Sequence, residues 1–138
     1  MDSFFEKEIY NISDIDLIIE NKTQESYGLE FKSAKALENL SKNSSEFTKD
    51  ISSFANSAGG IIIYGIDEID HVAQSKSYVD GRKITKEFLE NIIDGNIHRR
   101  LNVTIYPITD LDIAKTIYLI KIPESENAPH QNSDKAFY

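Results

Sequence analysis

Glu25, Glu30 and Asp67 are three carboxylates that a bend and two strands could bring together, and Lys32 lies two positions beyond Glu30. Hard divalent cations such as magnesium and manganese are held by a few carboxylate oxygens plus water, and metal-assisted cleavage of a phosphodiester needs two or three such groups converging. A nearby ammonium can stabilise the charge that develops on phosphorus or orient a water. The chemistry these residue types point to is metal-dependent attack on nucleic acid. The competing reading is that a Glu-x-Lys pair is a solvated strand face and that an Asp after a strand is a turn residue.

The positioning elements follow from hydrophobic period. Residues 27–32 alternate, with Leu29 and Phe31 against Gly28, Glu30 and Lys32, which predicts a strand carrying Glu30 and Lys32 on one face. The odd interval from Glu25 to Glu30 would place them on opposite faces of an unbroken strand, so convergence requires a bend, and Gly28 permits one. Phe47, Ile51, Phe54, Ala55 and Ala58 recur at helical steps, and Gly59-Gly60 ends that helix. Residues 61–66 form an apolar run of central-strand type, with Asp67 directly after its carboxyl end.

Elsewhere, Ser13 with Asp16 predicts a helix over 14–21, and 67–83 reads as a loop. A third helix is expected over 85–96, then strands over 103–108 and 116–122 joined as a hairpin. Gly59-Gly60 follows a helix, whereas phosphate loops precede one, so a Walker-type site is excluded.

Other charged residues have two readings. Lys35, Lys42 and Lys49 could form a basic rim for nucleic acid or simply aid solubility. His98-Arg99-Arg100 falls where cations complement a helix dipole, and Arg99 and Arg100 could instead contact phosphate. His71 and His130 have no partner at ligand spacing and read as plain loop histidines. Phe47, Phe54 and Phe88 fit core positions better than base-stacking ones.

The chain of 138 residues has 23 acidic and 15 basic residues, a net charge of −8, and no cysteine. That charge opposes passive coating of nucleic acid, though carboxylates that bind a cation reverse their local field. Thiolate metal sites and disulfides are excluded. No apolar run approaches the roughly 20 residues of a membrane span, so a cytoplasmic, non-membrane protein is expected.

The order and spacing of Glu25-x-x-x-x-Glu30-Phe31-Lys32, Ser53-Phe54-Ala55-Asn56-Ser57-x-Gly59-Gly60 and the apolar strand ending Gly65-Ile66-Asp67 resemble the Schlafen core and its prokaryotic AlbA-like relatives. The resemblance spans 12–138. It implies an α+β domain whose mixed β-sheet is flanked by helices, after an N-terminal extension over 1–11, with 12–138 a single domain that could belong to a longer chain. It further implies a divalent-metal-dependent endoribonuclease acting on substrates of the transfer and ribosomal RNA type, RNA being favoured over DNA. Glu25, Glu30 and Asp67 match the metal-binding acids and Lys32 the lysine of the triplet. Magnesium or manganese is the implied cofactor and a homodimer the natural counterpart of the paired copies in animal members. The alternative is a non-catalytic DNA- or RNA-binding or sensing module of a larger regulator or defence protein.

Overall fold

Ile61, Ile62 and Ile63 have no exposed surface, because the strand that carries them is covered on both faces. The computed structural model describes residues 2–98, 101–124 and 131–132. Its main sheet has four strands in the order β1-β2-β7-β6: β1 Leu29–Lys32, β2 Gly60–Tyr64, β6 Thr104–Asp110 and β7 Asp112–Ile122. β1 and β2 run parallel, with Leu29 opposite Ile61 and Lys32 opposite Tyr64, while the β2–β7 and β6–β7 pairs are antiparallel. A mixed sheet with helices on its faces is the α+β class expected.

Alternation along β2 divides the core in two. Ile62 and Tyr64 face α3 (Ser45–Ala55) and α4 (Lys86–Asn96), meeting Phe47, Ile51, Leu89 and Ile93. Ile61 and Ile63 face the opposite layer, where Ile15 and Ile18 of α2 (Ile12–Glu20) pack with Phe4 of the short α1 (Asp2–Phe5). Burying such side chains on both faces supplies roughly 1.5–3 kcal/mol each, so a polar substitution at Ile62 or Ile63 would cost a large fraction of the roughly 5–15 kcal/mol by which a domain is stable.

Several local expectations are corrected. Helix α2 starts two residues before 14, because Asn11 caps it, accepting from the Ser13 and Asp14 amides at 3.1 and 3.3 Å, and the Asp14 carboxylate accepts in return from the Asn11 amide at 2.9 Å. The apolar run 61–66 is not one strand. Gly65, at φ +140, breaks it, and only glycine fits there, because a Cβ would lie 2.6 Å from Ile117 Cγ1. The expected loop over 67–83 contains a hairpin, β3 (Ile66–Ile69) and β4 (Val72–Lys76), joined by Asp70 and His71 at φ +53 and +68. Two central residues with positive φ are the signature of a type I′ turn, whose twist suits a hairpin.

The hairpin is tied down where β4 ends. Lys76 bridges Asp16 of α2 at 2.7 Å and Asp110 of β6 at 3.1 Å. The Ser77 hydroxyl accepts from the Ala34 amide at 2.9 Å, at the start of the 3-10 turn Ala34–Leu37 that follows β1.

Helix α4 is capped by the Thr85 hydroxyl and ends at Asn96. Ile97–His98 then form β5, paired with β8 (Gln131–Asn132), so His98 belongs to a strand and not to the last turn of a helix. Arg99, Arg100, His130 and the final tripeptide Ala136-Phe137-Tyr138 lie outside the described residues.

Candidate metal centre and nucleic-acid site

Glu30 and Lys32 occupy alternate positions of β1, while Leu29 and Phe31 are buried, so the two charged side chains emerge on one face. The Lys32 ammonium lies 3.4 Å from Glu30 and 4.0 Å from Asp50 of α3. Burial alone would lower this lysine, but Asp50 and Glu30 together outweigh it and raise it. Burial pushes the Asp50 carboxyl up to about 6, against the pull of Lys32. The wholly buried Tyr64 hydroxyl donates to Asp50 at 3.4 Å, closing a chain Tyr64, Asp50, Lys32, Glu30.

Glu25 reaches the same place by a different route. Residues 26–29 form a tight turn in which Ser26 and Leu29 exchange backbone hydrogen bonds of 3.1 and 3.0 Å, with Gly28 at φ +86. This is the bend that the Glu25 to Glu30 interval requires. Gly60 in turn lets its strand pass against this turn, since a Cβ on Gly60 would sit 2.5 Å from the Gly28 carbonyl oxygen. On the other side, the Glu25 amide donates to the His71 carbonyl at 2.6 Å and its carboxylate lies 3.6 Å from His71 Nδ1. Burial raises the Glu25 carboxyl, the neighbouring Glu30 adds to that, and His71 partly offsets it.

Asp67 is not a residue trailing a strand: it lies within β3, opposite Ser75 of β4. The register shifts between Asp67 and Glu68, where β4 carries one unpaired residue, Gln74, and both Asp67 and Glu68 line one groove. That groove, of about 490 Å³, is lined by Glu25, Glu30, Lys32, Asp67, Glu68 and His71 among others. Ligand atoms of Glu25, Glu68 and His71 all lie within 4.8 Å of one another. The Asp67 Oδ1 is buried without a hydrogen-bond partner among the described residues. An unpartnered buried carboxylate oxygen is costly unless something compensates it, and the same groove carries the converging oxygens and nitrogen of Glu25, Glu68 and His71, so the residues present fit a hard divalent ion.

The structure therefore brings Glu25, Glu30, Lys32 and Asp67 to one groove. Lys35 lines it too, and Lys49 lines an adjoining groove of about 450 Å³ that shares Glu25 and Glu30. Lys42 is exposed in the turn before α3 and lines neither groove. Asp50, Tyr64, Glu68 and His71 are additional. His71, read from sequence as a plain loop histidine, is brought to Glu25 by the hairpin turn, and Glu68 three positions before it was the available signal.

A family model described as Schlafen, AlbA_2 matches residues 25–138. The chain belongs to the Schlafen AlbA_2 family. Membership agrees with the resemblance carried by Glu25, Glu30, Phe31 and Lys32 and places the chain among nucleic-acid-related domains. Comparison with curated proteins finds no match. Among solved structures, the DIP2311 protein from Corynebacterium diphtheriae is similar in fold, with a TM-score of 0.53 and 14% identity over 91% of this chain. The chain spans about a quarter of that structure's length, 24%. No helix among the described residues of this Schlafen-family chain is long and apolar enough to cross a membrane.

Proposed function

We propose that the chain is a divalent-metal-dependent endoribonuclease, in which Glu25, Glu30 and Asp67 hold magnesium or manganese. The observation that supports this most is the unpartnered, buried Asp67 Oδ1 in a groove already crowded with carboxylates. A cation bound there would neutralise phosphate charge and activate a water or hydroxyl for attack on phosphorus. Lys32, steadied by Glu30 and Asp50, holds an ammonium beside the groove, where it stabilises the charge of the transition state. Lys35 and Lys49 supply phosphate contacts at the rim. RNA as substrate, a cytoplasmic setting and a homodimer belong to the same reading, supported by the resemblance to the Schlafen core.

A second reading, a non-catalytic nucleic-acid-binding or sensing module, draws on the Lys32 pairing: an ammonium already matched by Glu30 and Asp50 is less available to a transition state. The test is incubation of purified protein with transfer RNA and with single- and double-stranded DNA in manganese, magnesium or EDTA, alongside Glu30→Gln. Metal-dependent RNA cleavage that the variant loses supports the nuclease. Binding without cleavage by both proteins moves the assignment to the module, in which Glu30→Gln and Asp67→Asn leave binding intact or tighten it by removing negative charge.

A further inference from the structure

Tyr27 keeps 81% of its surface exposed, yet its backbone is held firmly. It sits at the second position of the 26–29 turn, closed by the two Ser26–Leu29 hydrogen bonds, and its neighbour Gly28 is pressed against the backbone of Gly60. The ring therefore projects from a rigid support, an arrangement that lowers the entropy lost when something packs on it. Tyr27 and Gly28 are also shared by two concavities. One is the groove containing Glu25, Glu30, Lys49 and Asp50; the other is a larger cavity, of about 660 Å³, with Phe5, Tyr106, Ile122 and Pro123 among its walls. Lys7 and Lys121 line this second cavity with Glu6, Glu8 and Glu124, so its charge is mixed.

We infer that Tyr27 is a stacking platform for a nucleobase adjoining the phosphodiester at Glu25 and Glu30, and that the larger cavity receives that base and its sugar. The inference rests on the nuclease reading for the nature of the strand. With a net charge of −8, the chain gains little affinity from bulk electrostatics, and stacking is the sequence-tolerant interaction that remains available. A partly apolar cavity beside an exposed ring suits a flat heterocycle with a polar edge. The single-stranded form is required, since a base within a duplex has no free face to offer.

The experiment measures binding of a short single-stranded oligoribonucleotide carrying 2-aminopurine, in EDTA and low salt so that nothing is cleaved. Stacking is worth roughly 1–3 kcal/mol per base, so Tyr27→Ala should weaken binding about 5- to 150-fold and abolish the quenching of 2-aminopurine. Tyr27→Trp should restore both. Replacing the reporter base by an abasic site should bring the unaltered protein down to the level of Tyr27→Ala. Equal affinity for wild type and Tyr27→Ala overturns the inference, as does a loss that Tyr27→Trp fails to rescue. So does a change of oligomeric state in Tyr27→Ala without a change in RNA affinity, which would make the ring a protein contact. The nuclease reading is judged separately: a wild type that stacks the base in EDTA but never cleaves with metal keeps the platform and loses the nuclease, whereas metal-dependent cleavage with identical binding by Tyr27→Ala does the reverse.

Discussion

Glu25 and His71 are joined twice, by the Glu25 amide donating to the His71 carbonyl at 2.6 Å and by a carboxylate 3.6 Å from Nδ1. The backbone link positions the hairpin turn and the side-chain link acts on the acid. His71 offsets part of the upward push of burial and of Glu30 on Glu25. His71→Asn, which tolerates positive φ, should keep the hairpin and raise the Glu25 carboxyl further, as followed by NMR titration of its side-chain carboxyl carbon. A fall in that value would contradict the assignment.

His71→Val compared with His71→Gly tests the backbone, because both remove the imidazole and its link to Glu25. A β-branched residue at φ +68 costs about 1–2 kcal/mol, which should appear as a lower denaturation midpoint with unchanged slope, while His71→Gly should cost less.

Asp50 makes a pH prediction for the metal-free protein. Burial lifts its carboxyl from 3.8 to about 6, so the native state binds this proton more tightly than the unfolded chain does. The associated stability is fully present below the unfolded value and is lost as pH rises through about 6. Asp50→Asn removes that loss. It should therefore stabilise the protein at pH 8 by on the order of 1–3 kcal/mol and give almost nothing at pH 4, measured by urea denaturation at both. A gain independent of pH would show that ionisation of Asp50 is not its source.

A cation that binds the folded groove and not the unfolded chain should raise Tm, by roughly 5–10 °C when manganese is near one hundred times its dissociation constant. Calorimetry with manganese or EDTA should show this rise in the wild type and a smaller one in Asp67→Asn. Identical shifts in both proteins would remove Asp67 from the ligand set.

Gly60→Ala should be among the most damaging small substitutions, because its Cβ would meet the Gly28 carbonyl oxygen at 2.5 Å at a φ of +151. Both partners are backbone, so neither can rotate away, and a loss of about 3 kcal/mol or more is expected in thermal unfolding.

Much of the site's scaffold was legible because local pattern and tertiary demand agree. The Leu29 and Phe31 alternation is the burial alternation of β1, and the spacing of Phe47, Ile51 and Ala55 is the buried face of α3. The hairpin over 66–76 was hidden because its turn uses Asp70 and His71 where glycine or asparagine would have announced it. The break at Gly65 was hidden for another reason: the demand for a glycine comes from its φ of +140 and from Ile117 and Ser77, 52 and 12 positions away in sequence. Asp50 and Tyr64 meet Lys32 through the parallel crossover, and nothing in the sequence between them marks that meeting.

Strand β6 forms one border of the sheet and carries an exposed proline, Pro107, opposite Tyr118. A proline has no amide hydrogen to offer, so a strand arriving from another molecule would meet a gap in the ladder at that point. The sheet is thereby guarded against lateral growth into fibres along this border. A second copy of the chain approaching this border would have to make its contact through side chains, because the ladder of backbone hydrogen bonds is interrupted at Pro107.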